Sequence, residues 1–161
     1  MRLPNPLIAL LLGAALAGCA SPRSFAPGAS LVEVLARAGP PTDIRFDRNG
    51  DELWEYSTGP LGFETYLVRA GTDRKVKEVS QLLTDEQLEK IVPGTMTKAD
   101  VRHILGKPSE QTFSAAGTVW SWRFKRVGVQ PGYLTVRFNP DNTVFERLAI
   151  IDPSGGQSRD K

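Results

Sequence analysis

The sequence predicts an α+β fold in which two tandem copies of one unit each place short helices against an antiparallel meander of three or four strands. Three observations predict it. A repeat of near-constant spacing runs through the chain, each copy has a hydroxyl-led helix start and a Gly-x-Pro stop, and after each stop the apolar period changes to two.

The repeat comes first. One copy reads Pro27-Gly28, Ser30 to Glu33, Gly39-Pro40-Pro41, Leu53-Trp54-Glu55-Tyr56, Tyr66 to Arg69, Asp73 and Val76. The other reads Pro93-Gly94, Thr97 to Asp100, Gly106-Lys107-Pro108, Val119-Trp120-Ser121-Trp122, Leu134 to Arg137, Asp141 and Val144. The offset is 66 for the Pro-Gly pairs, 67 for Gly39 and Gly106, 66 for Trp54 and Trp120, and 68 for Val68 and Val136.

Ser30-x-x-Glu33 and Thr97-x-x-Asp100 have the spacing of a capping box. The hydroxyl satisfies an orphan backbone donor and the acidic residue favours the positive helix end. Val34, Leu35 and Ala38, and likewise Val101, Ile104 and Leu105, then share one helical face. The Gly-x-Pro stops the helix, because Gly accepts left-handed geometry and Pro cannot continue it. Thr84-x-x-Gln87, with Leu88 and Ile91, adds a leading helix over 85–91 in the second copy only. Beyond the stops, 51–57, 63–68, 76–82, 118–124, 133–138 and 144–151 read as strands. Asn49-Gly50, Ala115-Ala116-Gly117, Gly71-Thr72-Asp73 and Pro140-Asp141-Asn142 are their turns. Helices covering one face of each meander give the α+β class.

The ends read differently. Arg2 is followed by an apolar run from Leu7 to Leu16, broken only by Gly13. Ten helical residues span about 15 Å, half of a roughly 30 Å hydrocarbon core, so the run is an export signal and not a membrane span. Leu16-Ala17-Gly18-Cys19 resembles the lipobox of bacterial lipoproteins. That resemblance implies cleavage after Gly18 and acylation of Cys19 with diacylglycerol and a further chain such as palmitate. Three chains give stable anchoring where one does not. Cys19 is the only cysteine, so no intrachain disulfide can form. Ala20 in place of Asp implies, by the same resemblance, sorting to the outer membrane. The organisation expected is therefore 1–18 signal peptide, 19–29 tether, 30–83 first repeat without its leading helix, 84–152 second repeat and 153–161 disordered tail.

Removing 1–18 takes Arg2 from the 20 Lys and Arg and leaves 18 Asp and Glu untouched, so the remaining chain is nearly neutral. No basic footprint for nucleic acid or polybasic lipid patch follows. His103 is the only histidine, and no set of ligands for a metal accompanies it. Asp85, Glu86 and Glu89 lie early in a helix, where carboxylates complement its dipole. No phosphate loop, nucleophile elbow or zinc-protease motif occurs. The reading is non-enzymatic, with no cofactor and no metal.

Trp54, Tyr56, Trp120 and Trp122 are read first as sheet packing. If their face is not covered by helices, they form a candidate partner surface with Arg123 and Arg137 as rim charges. The equivalent loops Gly59-Pro60-Leu61-Gly62 and Gly128 to Gly132 are candidate contact tips, with plain turn chemistry as the default.

Pro93-Gly94-Thr95-Met96-Thr97-Lys98, Asp100-Val101 and Leu105-Gly106-Lys107-Pro108 resemble the signature of the BamE family, also called SmpA/OmlA, of outer-membrane lipoproteins. The resemblance implies an ααβββ unit and a periplasm-facing accessory role in β-barrel assembly or envelope integrity, through protein contacts. It is stronger over 84–151 than over 27–82. Family members usually carry one copy, and two copies occur in β-lactamase-inhibitor proteins built on the same unit. The alternative is therefore a periplasmic inhibitor or ligand-binding module using a concave surface made by both repeats.

Overall fold

The computed structural model describes residues 21–58, 62–125 and 131–151. The export signal, Cys19, both candidate contact tips apart from their ends, and the tail lie outside these residues. Two four-stranded antiparallel meanders form, ordered β1-β2-β3-β4 and β5-β6-β7-β8. Sheet 1 comprises β1 (Asp43–Phe46), β2 (Glu52–Ser57), β3 (Thr65–Ala70) and β4 (Val76–Gln81). Sheet 2 comprises β5 (Glu110–Ser114), β6 (Gly117–Phe124), β7 (Gly132–Phe138) and β8 (Val144–Ile151). Helix α1 (Leu31–Ala38) precedes the first sheet, and α2 (Asp85–Glu89) and α3 (Lys98–Leu105) precede the second. The α+β class and the two-unit design are thus as the sequence predicts.

The repeat is reproduced bond for bond. Gly28 N–H donates to Val76 O and Gly94 N–H to Val144 O, both at 2.8 Å, and Leu31 and Lys98 donate to Arg74 O and Asn142 O, both at 3.0 Å. The last two acceptors are the only described non-glycine residues with positive φ, 59° and 69°. Each sits one residue after an aspartate (Asp73, Asp141) whose Oδ1 accepts a backbone N–H two residues on, an Asx turn that tightens the hairpin. Bulges follow at Arg69/Ala70 and Arg137/Phe138.

Helix starts and stops follow the expected chemistry. Ser30, Thr84 and Thr97 side chains accept from Glu33, Gln87 and Asp100 N–H. Only Thr97 and Asp100 close the full capping box. Glu33 turns instead to Arg37, at 2.8 Å. Gly39 and Gly106 end α1 and α3 with φ of 78° and 74°, a region costly for any residue with a Cβ.

Leu31 and Val34 of α1 pack on Trp54, Tyr56, Val68 and Val76 of sheet 1. Val101 and Leu105 of α3, with Leu88 and Ile91, pack on Trp122, Leu134, Val136 and Phe138 of sheet 2. Each side chain withdrawn from water contributes roughly 1.5–3 kcal/mol. Two expectations are corrected. Residues 22–29 are not a free tether: a 3-10 turn at Pro22–Ser24 leads into Phe25, 5% exposed, which fills the first core where Ile91 fills the second. Strands β1 and β5, given no segment in the sequence, complete each meander at its edge.

The units stack. Strand alternation turns Trp54 and Tyr56 toward α1 and Glu55 to the opposite face. On that opposite face lies the end of α3, whose Arg102 reaches Glu55 and Asp43. Helix α3 therefore lies between the outer face of sheet 1 and the inner face of sheet 2. The layers run α1, sheet 1, α3 with α2, sheet 2.

Candidate interaction surfaces

The aromatic residues of the repeat are core. Trp54, Tyr56, Trp120 and Trp122 are 4%, 6%, 9% and 0% exposed. The helices cover their face, so the condition under which they would form a partner surface is not met. Trp120 stands edge-on to Trp122 at 6.1 Å and to Phe138 at 4.9 Å between ring centres, the geometry that ring quadrupoles favour. Tyr56 donates its hydroxyl to Gly39 O at 3.2 Å, tying the strand to the end of α1. Burial pushes its phenol up to about 12.

Arg123 and Arg137 lie on the other face of sheet 2, one step out of phase with the tryptophans. The Arg123 guanidinium sits 4.8 Å from the centre of Phe63 and 5.7 Å from that of Tyr133, so a loop of the first unit touches the second sheet. Arg137 faces Glu146 at 3.4 Å, with both side chains exposed. Such a pair stabilises little.

The polar centre that the sequence did not announce is Glu55. It is 1% exposed, yet it lies in alternation with Trp54 and Tyr56, where the pattern reads as solvent. Its Oε1 receives Arg102 at 2.5 Å and Arg45 at 2.8 Å, and its Oε2 receives the Lys107 N–H at 2.9 Å. Arg102 also reaches Asp43 at 2.6 Å. Burial pulls the Arg45 guanidinium below its ordinary range, against the attraction of Glu55. A Cβ at Gly106 would stand 2.9 Å from Leu82 Cδ1 and 3.1 Å from Glu55 Oε2, so the absence of a side chain lets the end of α3 approach this carboxylate. Glycine 106 is thus a helix stop and a contact residue together. A charge this buried persists only when fully paired, and here every oxygen has a donor.

A second cluster closes the hairpin end of the same face. Asp51, 2% exposed, receives Lys77 and Arg69, each at 2.8 Å, and Arg69 also holds Asp47. The Lys77 and Arg69 hydrogen bonds keep the Asp51 carboxyl below the usual carboxylate range. Each acidic side chain in these clusters is matched by a base, so they lock structure and offer no free acid or nucleophile. Among the described residues, no three His, Cys, Asp or Glu side chains converge on a metal position, and no helix is long and apolar enough to cross a membrane. His103 is exposed. An open cleft between α2 and β8 is lined by Leu88, Glu89, Leu134, Arg147 and Ala149, and Arg147 caps α2 by donating to Leu88 O.

The apolar surface lies at the ends of the stack and on the edge strands. Val32 and Leu35 on α1 are 73% and 46% exposed, and Leu148 on sheet 2 is 45% exposed. Phe46 and Phe113, repeat equivalents on β1 and β5, are also exposed.

Residues 81–146 match the model of the outer membrane protein assembly factor BamE domain. No curated protein matches the chain. A DUF4309 family protein (YjgB) from Bacillus subtilis subsp. subtilis str. 168 is similar at 16% identity, over 76% of this chain and 78% of that one. Its TM-score of 0.32 is too low to carry an argument. The matched segment runs from the end of β4 through α2 and α3 into β8, so the likeness to the BamE domain lies in the second unit.

Proposed function

We propose that this chain is a lipid-anchored protein of the outer membrane, facing the periplasm, that serves β-barrel assembly or envelope integrity through protein contacts and without catalysis. The observation that carries the reading is the BamE domain match over 81–146, a domain of outer-membrane assembly factors. The Leu16-Ala17-Gly18-Cys19 lipobox supports the anchor, with cleavage after Gly18 and lipid on Cys19. With residues 22–29 folded onto the first unit, few residues are left between that anchor and the body. The first unit then stands close to the bilayer.

The partner surface moves from the tryptophans to the exposed edge-strand phenylalanines Phe46 and Phe113. An inhibitor-like module using one concave face of both sheets loses half of that face, because α3 occupies the outer side of sheet 1.

The test is the intact mass of membrane-extracted protein from wild-type and Cys19→Ala cells, joined to in-cell crosslinking and identification of neighbours. A mass increased by three acyl chains and lost in Cys19→Ala, with barrel-assembly proteins as neighbours, is the expected result. Lipid with unrelated neighbours would remove the assembly role, and an unlipidated soluble protein would remove the anchor.

A further inference from the structure

We propose that the outer face of sheet 2 is the docking surface for helix α1 of a second copy of this chain, so that copies associate head to tail. The inference goes beyond the assembly reading and does not depend on it. The template is inside the molecule: the outer face of sheet 1 is already covered by α3, the helix of the next unit that corresponds to α1. Continued by one unit, the same stacking places the helix that opens a following copy, α1, on sheet 2.

The repeat offsets say which residues would meet. Leu35 stands where Arg102 stands in α3, and Val32 stands where the exposed Ala99 stands, at the rim of the contact, which the longer valine extends. On the sheet, Ser121 occupies the place of Glu55, next to Thr135, Val119 and Leu148. Both halves of the ion pair are thus replaced together, the base by leucine and the carboxylate by serine. Leu35 docked against Glu55 would leave a buried carboxylate without a partner, whereas Leu35 against Ser121 buries no charge. The one ion pair along α1, Glu33 with Arg37, leaves the helix neutral toward this face. At the β5 edge Glu110 takes the place of Asp43 but is exposed, so it needs no partner.

The ends of the stack point the same way. Repeat proteins stay apart when their terminal units present polar caps. Here α1 presents Val32 and Leu35, and sheet 2 presents Leu148 beside a strip of small and aliphatic side chains. The two surfaces differ, so the contact is heterologous and can continue from copy to copy. Arg123, lying over Phe63 and Tyr133, bounds it at one end.

The test uses full-length chains in cells, with two differently tagged copies, one carrying Leu35→Cys and one Ser121→Cys, under mild oxidation. The chain without added cysteine gives the background from Cys19. A disulfide-linked product joining the two tags is expected, with no product above background when both tags carry the same substitution, and loss of the product when Val32→Glu is added. A chain carrying both cysteines is expected to give a ladder on non-reducing gels, whereas a symmetric dimer stops at two. Absence of the mixed product, its survival in Val32→Glu, or same-site products alone would overturn the proposal, the first of these leaving the face to another protein. Val32→Cys with Thr135→Cys is a second pair, used if either first variant loses the protease resistance of the parent chain.

Discussion

Strands β2 and β6 hold the same place in their units and carry tryptophan at the same register, yet they end in different surroundings. Strand β2 is buried at four consecutive positions, Leu53 to Tyr56, whereas β6 alternates strictly between buried and half-buried from Gly117 to Phe124. The cause lies outside both strands. A further unit follows the first and lays α3 on its outer face, while the described residues place no helix on the second. The exposure of a repeat's residues is therefore decided by what the chain does next, as much as by the repeat itself.

The cores are the part the two units share, and the largest loss is expected there. Trp122→Ala removes a fully buried indole that holds Trp120 edge-on, and it should cost about 3–5 kcal/mol in urea unfolding. Trp54→Ala should fall in the same range from the first core. If the units are welded by α3, both variants shift one common transition. Two separate transitions would show that the stack is two independently folding bodies.

The weld itself should be the next largest effect. Glu55→Gln keeps the shape but leaves Arg45 and Arg102 beside a neutral amide, and breaking such a pair costs about 3 kcal/mol or more. Ser121→Ala, at the equivalent position in β6, should change stability by less than about 0.5 kcal/mol. The double variant Glu55→Ser with Arg102→Leu copies the residues Ser121 and Leu35, and it should cost less than the sum of its two single variants, although Arg45 still lacks its carboxylate. Additivity in that double-mutant cycle would place the cost of Glu55→Gln elsewhere than in its pairing with Arg102.

How far the sequence could be read follows from the same contrast. Helix starts, glycine stops, both hairpins at Asp73 and Asp141, and the inward tryptophans are set by neighbours within a few residues or by the repeat, and all were legible. Glu55 was not. A carboxylate between two aromatics in a strand reads as the wet side of a one-faced sheet, and the docking of α3, with Arg102 47 positions away, makes it the driest acid among the described residues. Phe25 was hidden for a related reason: a short proline-containing stretch with one aromatic reads as linker until the core it fills is seen. The edge strands β1 and β5 were faint because burial alternates weakly in one and is absent in the other. The exposed faces that carry the candidate contacts were least legible, since periodicity reports what is buried.

Capping gives a smaller difference between the units. Thr97→Ala removes the hydroxyl, which accepts from the Asp100 N–H and donates to Asp100 Oδ2, and leaves the Thr97 N–H on that carboxylate; N–H and hydroxyl together hold Asp100 below the usual carboxylate range. A cost of about 1 kcal/mol is expected, and somewhat less for Ser30→Ala, where only the hydroxyl bond is present. Equal costs would mean that the bond from the Thr97 hydroxyl to the Asp100 carboxylate contributes nothing.

The smallest effect concerns Tyr56, whose counterpart in the second unit is Trp122, a residue that does not titrate. Burial raises the Tyr56 phenol from its ordinary 10.0 to about 12, so the folded state favours the neutral form. Its contribution is fully present below pH 10 and is lost as pH climbs from there through about 12. Tyr56→Phe keeps the ring and loses only the bond to Gly39 O, so about 1 kcal/mol should go at neutral pH. The alkaline fall in stability should also become shallower than in the parent chain, as read by urea unfolding between pH 9 and 12. If the parent and Tyr56→Phe curves run parallel across that range, the phenol is ionising as freely in the folded chain as in the unfolded one, and the seal between β2 and the end of α1 is open to water.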